Sequence, residues 1–301
     1  MTARQYATPL AFKQALEQRL KSSSATGVDF GRRRQLLVFD RFLARLVQVA
    51  GDAVTLKGGL VLELRLARAR TTKDIDLRMM GSSDDVLERL QEAGRLDLGD
   101  HMLFEVQPDA DHPEIQNEGM RYDGFRYRTE CRLAGMIYSR PFGVDVAFGD
   151  PLVGEPDIVT GDDILGFAGI APPLLRLYPV VSHIAEKLHA FTMPRPRPNT
   201  RVRDLPDLAL LATTGSIDGL QLHLALSNTF EFRGTHALPT LVPAPLSFWE
   251  GPYSAMAAND ELPWVNLEQV TGAVSSFLNP VLGGEAVGTW DPATSACVAP
   301  D

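Results

Sequence analysis

The chain has 301 residues, 45% of them apolar, enough to bury a substantial core in two domains or in one large domain with an appendage. Its formal net charge of −9 excludes a surface that clings to nucleic acid all over, but not a local basic channel. Cys131 and Cys297 are far apart and lack metal-ligand spacing, which argues against a zinc site and for a reducing compartment. With no apolar leader and no apolar run of the ~18 residues that a membrane span needs, a soluble cytoplasmic protein without membrane contact is expected.

In chain order, "PLAFKQALEQRLK" (9–21) has helical spacing after a proline suited to a helix start, and "SSSATGVDFG" (22–31) reads as a linker. "RRRQLLVFDRFLARLVQVA" repeats apolar residues at Leu36, Phe39, Leu43, Leu46 and Val47, an amphipathic helix. "AVTLKGG" is a short strand running into a glycine turn, "LVLELRLARA" a helix, and "TKDIDLRM" an alternating strand. "DDVLERLQEAG" is a helix stopped by Gly94. "HMLFEVQ", "RYDGFRYRTECRLAG" and "RPFGVDVAFGD" are strands separated by glycine and proline turns. Beyond Pro151 come a helix at about 180–192, the proline-spaced basic loop "MPRPRPNTRVR", the helix "LPDLALLATTG" and a last helix at 266–278. The fold class is therefore α+β: residues 1–165 form a mixed sheet with flanking helices, and residues 166–301 a mostly helical second part.

Asp74 and Asp76 stand two apart on a strand, whose period of two turns both carboxylates to one face. Paired hard oxygen ligands suit Mg²⁺, which takes carboxylates together with substrate phosphates. Gly58 and Gly59, between a strand and a helix, let backbone amides approach a phosphate at a helix N-terminus; Lys57, Thr71, Thr72 and Lys73 offer further donors to the nucleotide. Asp145, between Val144 and Val146, is a third carboxylate, one that would take the proton from an attacking hydroxyl. Each feature has a plain alternative: a solvated strand face for the aspartates and an ordinary turn for the glycines.

The series "LKGG…RTTKDIDL", an isolated "VDV" strand, then "EKLHA" and "RVRDLPDL", resembles the AbiEii/AbiGii-type nucleotidyltransferase toxins of the DNA-polymerase-β-like superfamily. The likeness covers roughly residues 50–215, with most weight on 57–76. It implies a polymerase-β-like mixed sheet and an Mg²⁺-dependent transfer of a nucleoside monophosphate from an NTP, a pyrimidine nucleotide by preference. It further implies the 3′ end of tRNA as acceptor, blocked translation, and a cognate antitoxin protein as partner. By position Asp74 and Asp76 would be metal ligands, Gly58 and Gly59 the triphosphate turn, and Lys187 and Asp204 the later catalytic residues, reaching the cleft from the second part. The superfamily turn is usually Gly-Ser; here it is Gly-Gly, so a hydroxyl contact has to come from Thr71 or Thr72.

Lys187 borders the apolar stripe of Ile184, Leu188 and Phe191, so its stem can pack while its ammonium binds a phosphate; a snorkelling surface lysine is the alternative. Asp204, before Pro206, can equally cap its helix. Arg195, Arg197, Arg201 and Arg203, with Arg68, Arg70 and Lys73, would form a basic rim for RNA, extended by Arg65 and by Arg32, Arg33 and Arg34. His183 and His189 flank Lys187 without zinc-like partners and read as structural or substrate-edge residues. Rival readings are transfer to a protein or a small molecule, a D-x-D glycosyltransferase using Mn²⁺ and a nucleotide sugar, and a non-catalytic binding protein of the same fold.

Overall fold

The computed structural model describes residues 6–66, 72–114, 124–196, 199–284 and 288–298. Two helices come first, α1 (Pro9–Ser22) and α2 (Gly27–Ala50). Each starts on a threonine whose hydroxyl accepts a backbone N–H three residues on, Thr8 from Ala11 and Thr26 from Asp29. The Thr26 cap draws the glycine-containing stretch into α2, so the expected ten-residue linker shrinks to residues 23–26. The alternating core then follows as β1 (Val54–Lys57), α3 (Gly58–Arg65), β2 (Ile75–Met79), α4 (Val86–Arg95), β3 (Met102–Pro108), β4 (Gly124–Leu133), β5 (Met136–Ile137), β6 (Phe142–Ala147), β7 (Asp157–Thr160) and β8 (Leu174–Leu177). The rest is α5 (Val180–Thr192), α6 (Asp204–Leu211), β9 (Ile217–Asp218), α7 (Gly219–Arg233), α8 (Glu250–Asn259), α9 (Leu267–Leu282), β10 (Thr289–Asp291) and β11 (Ala296–Val298).

The main sheet runs β3-β4-β6-β2-β1-β8-β7, with β5 on β4; β2–β6 and β1–β8 are parallel and the other pairs antiparallel. It is the expected mixed sheet with flanking helices. On β2 and β6 the strand period sends Ile75, Leu77, Met79, Phe142, Val144 and Val146 into a core with Phe12 and Leu16 of α1, Phe39 and Phe42 of α2, and Leu90 of α4. Asp76, Gly143 and Asp145 face the other way. A second core gathers Leu62 with residues of α5 to α9, including Leu188, Leu208, Phe230, Val274 and Phe277. β8, past residue 165, is the sheet strand beside β1, and Tyr178 follows it at the start of the second part.

Gly94 does not stop its helix. It lies inside α4, and a Cβ there would come 2.4 Å from the Phe104 carbonyl oxygen, so the glycine serves the close approach of helix to strand. Arg41 and Arg45, on the apolar side of α2, are buried on Asp100, to which their Nε and Nη1 donate at 2.9 and 2.8 Å. The small sheet β9-β10-β11 was not legible among the proline-rich connectors; it is pinned by Trp290, whose indole N–H donates to the Ala212 carbonyl at 2.8 Å.

Candidate active site

Register builds the site. In neighbouring strands Lys57 stands opposite Asp76, Asp76 opposite Asp145, and Asp145 opposite Arg126. Opposed residues share a sheet face, so β1, β2, β6 and β4 carry one row of cation, carboxylate, carboxylate, cation across four strands. This row forms part of the wall of a cleft of about 750 Å³.

Asp74 lies one residue before β2 rather than within it, and is fixed there by the Gly143 N–H, which donates to its Oδ1 at 3.1 Å. A Cβ on Gly143 would meet that oxygen at 2.8 Å, so the glycine admits the carboxylate. Gly58 has the same role for Asp76. It is the first residue of α3, at a φ of +71°, and a Cβ on it would fall 1.9 Å from Asp76 Oδ2. The Gly-Gly pair is thus the helix start itself, and its first glycine makes room for a carboxylate as well as exposing amides.

Burial, and then the neighbouring carboxylates Asp145 and Asp74, push Asp76 up to about 6 against the pull of Lys57 and Lys187. Crowded negative charge of this kind suits a divalent cation, and Asp74 with Asp76 supplies the hard oxygen pair. Asp145 is turned to Arg126, and among the described residues no three His, Cys, Asp or Glu side chains converge as a metal-holding group.

Lys57 lines the cleft, and its ammonium donates to Asp150 at 2.5 Å and Glu186 at 3.1 Å. Arg233, at the end of α7, reaches the same two carboxylates, and the Tyr178 hydroxyl donates to Glu186 at 2.9 Å. Lys187 also lines the cleft, paired with Asp204 at 3.0 Å and Asp207 at 2.8 Å. Asp204 is not a cap: Arg203 occupies the N-cap position, without a side-chain capping bond. Asp207, on the same helix, is fully buried on Lys187.

Of the expected nucleotide and RNA contacts, Thr72, Lys73, Arg201 and Arg203 line the cleft, while Arg195 is not part of its lining. The Thr72 hydroxyl donates to the Asp74 carbonyl at 3.3 Å. Arg68, Arg70, Thr71 and Arg197 lie outside the described residues. The arginines of the rim's extension have local partners. Arg32 is held by Glu63, Arg33 by Asp29 and Arg65 by Asp157, while Arg34 stacks on Phe30 and Tyr138. Arg126, Glu186, Arg233 and Asp150 were missed from sequence, and only the direct adjacency of Glu186 to Lys187 could have drawn attention to one of them.

His183 touches the cleft wall one turn before Lys187, and neither ring nitrogen has a hydrogen-bond partner among the described residues; His189 is buried between Thr235 and Arg233. Burial, reinforced by Lys187 for His183 and by Arg233 for His189, pushes both imidazoles down to about 3. Both are therefore neutral at physiological pH, and the stability they contribute above the ordinary histidine range is lost as pH falls toward about 3. Asp40, pushed up by burial to about 7, opposes this in the whole-protein balance, so the test is residue-specific. Imidazole NMR signals of His183 and His189 are expected to stay fixed from about pH 8 to about pH 5, where an ordinary histidine titrates.

The profile of the AbiEii family, "Nucleotidyl transferase AbiEii toxin, Type IV TA system", matches residues 41–279. Among solved structures, the chain is similar to MenT4, the nucleotidyltransferase toxin Rv2826c from Mycobacterium tuberculosis H37Rv, at 17% identity over 78% of each chain and a TM-score of 0.53. It is also similar to a putative nucleotidyltransferase from Helicobacter pylori, at 15% identity over 83% of this chain and 96% of that one, with a TM-score of 0.46. JHP933 from Helicobacter pylori matches at 15% identity over 83% and 94%, with a TM-score of 0.45. No curated protein matches. At these identities the structural likeness speaks to fold, and MenT4 carries that argument; the family follows from the profile, which spans most of the sequence. The chain belongs to the AbiEii family of nucleotidyl transferase toxins from type IV toxin–antitoxin systems.

Proposed function

We propose that this toxin transfers a nucleoside monophosphate from an NTP, a pyrimidine nucleotide by preference, to the 3′ end of tRNA in the cytoplasm. Translation is thereby blocked, and a cognate antitoxin protein restrains the activity. The observation that carries the reading is the in-register row Lys57–Asp76–Asp145–Arg126, with Asp74 beside it, in a cleft whose outer lining is basic.

Asp74 and Asp76 would hold Mg²⁺. When bound, the ion polarises the α-phosphate and neutralises charge on the departing pyrophosphate. The amides at the start of α3 and the ammonium of Lys187 receive the triphosphate, with Asp204 and Asp207 orienting Lys187. Asp145 accepts the proton of the attacking 3′-hydroxyl. The new bond joins that oxygen to the α-phosphorus, and the bond to the β-phosphate oxygen breaks in line with it. Lys73, Arg201 and Arg203 meet the acceptor's phosphates without reading its sequence, and Arg68, Arg70, Arg195 and Arg197 extend that contact.

The test is to incubate the protein with Mg²⁺, total tRNA and each NTP labelled at its α-phosphate, then resolve the RNA on a denaturing gel. Label from CTP or UTP is expected in tRNA and absent with Asp74→Ala. No label from any NTP would overturn the acceptor assignment.

A further inference from the structure

Arg126 has no part in the reaction as proposed, yet it occupies both oxygens of the carboxylate that serves as base. Its Nε donates to Asp145 Oδ1 at 2.7 Å and its Nη2 to Oδ2 at 2.6 Å, a fork-on-fork pair of the strong, oriented kind. The backbone of Arg126 is tied down, its N–H donating to the Pro113 carbonyl and its carbonyl accepting from Asp109, each at 2.9 Å. The side chain is not: it is 40% exposed, against 15% for Asp145. The guanidinium can therefore leave without disturbing the sheet.

The charge row has a consequence for metal entry. With Lys57 and Arg126 at its ends, it carries no net formal charge, and both oxygens of Asp145 are taken by Arg126. An incoming divalent ion meets two carboxylates and a guanidinium that competes for the third.

We propose that Arg126 is a positioning residue that holds Asp145 as a stand-in counter-charge and surrenders it when a divalent cation enters. Asp145 then turns toward the ion while the freed guanidinium, already on the cleft wall, turns to the triphosphate. This rests on the proposed nucleotidyl transfer and deepens it: metal loading and nucleotide capture become one exchange of partners. A ligand shifts such an equilibrium only by its differential affinity, so removing the competitor must raise the apparent affinity for the ion.

The experiment is Mn²⁺ binding to the full chain, followed by the EPR signal of free Mn²⁺, without nucleotide or RNA. Wild type, Arg126→Gln, Arg126→Lys, Asp145→Asn and the Arg126→Gln/Asp145→Asn double variant are compared, with circular dichroism confirming that each folds. Arg126→Gln is expected to bind about tenfold tighter than wild type. Arg126→Lys should also gain severalfold, because an ammonium keeps the charge but loses the fork. In the Asp145→Asn background, Arg126→Gln should have no further effect, the signature of action through Asp145. Equal or weaker binding by Arg126→Gln overturns the inference, as does a gain that persists without Asp145 or an Arg126→Lys protein that matches wild type. Any of these results beside successful tRNA labelling leaves the proposed function standing. A wild type that binds no Mn²⁺ and labels no tRNA sinks both.

Discussion

Replacing Asp76 by asparagine is expected to abolish nucleotidyl transfer while leaving the fold at least as stable as wild type. The two effects have one cause. Asp76 sits opposite both Lys57 and Asp145, and burial with the nearby Asp145 and Asp74 pushes its carboxyl up to about 6. At neutral pH the folded protein therefore keeps an ionised group at a cost, and that stability is regained only as pH falls through about 6 toward the unfolded value. An asparagine removes the charge and keeps the shape. One pK unit corresponds to 1.36 kcal/mol, and the upward shift is already net of the attraction to Lys57 and Lys187; with the side chain partly open to the cleft, the relief is on the order of 1–2 kcal/mol. The catalytic side is larger. A metal's charge stabilisation of the transition state is worth several kcal/mol, so losing a ligand costs about 10³-fold or more in rate. Urea unfolding and tRNA labelling on the same preparation check both halves. Wild-type labelling, or a clear loss of stability, would contradict the account.

The two aspartates were legible in the sequence because a strand's period is local: Asp76 alternates with Ile75 and Leu77, and that alone turns it off the core. The glycines were legible as a functional turn, but their steric purpose was not, since the carboxylates they admit come from other strands. Arg126 gave no local signal. Its meaning depends on β4 lying beside β6 with Arg126 opposite Asp145, a pairing set by the whole sheet. Asp150 follows a glycine, and nothing in its neighbourhood indicates that Lys57 and Arg233 reach it. Charge pairing was illegible for the same reason: Arg32 and Arg65 find their partners at Glu63 and Asp157, 31 and 92 residues further along the chain. β8 hid in the approach to α5 because four residues, Leu174 to Leu177, carry too little alternation to separate a strand from a leader.

Asp150→Ala is expected to cost ~3–5 kcal/mol of stability, the range for removing one partner of a buried ion pair. Asp150 is fully buried, with Lys57 at 2.5 Å on one oxygen and Arg233 at 3.3 Å on the other. Lys57 closes a strand of the first core, and Arg233 ends the helix that packs in the second, so this carboxylate joins the two cores electrostatically. Its loss removes the carboxylate that Lys57 and Arg233 share with Glu186, which the two cations already hold at about 2 against the cost of its burial. Glu186 can offset part of the charge but cannot move into the vacated position, since it is also held by the Tyr178 hydroxyl. Asp150→Asn should fall between the two, because an amide keeps one acceptor oxygen and none of the charge. Activity should fall with stability, because Lys57 stands opposite Asp76 and loses its shortest tether. Urea titration of the three proteins measures the order: a loss below about 1 kcal/mol in Asp150→Ala would mean that the joint between the cores does not depend on this carboxylate.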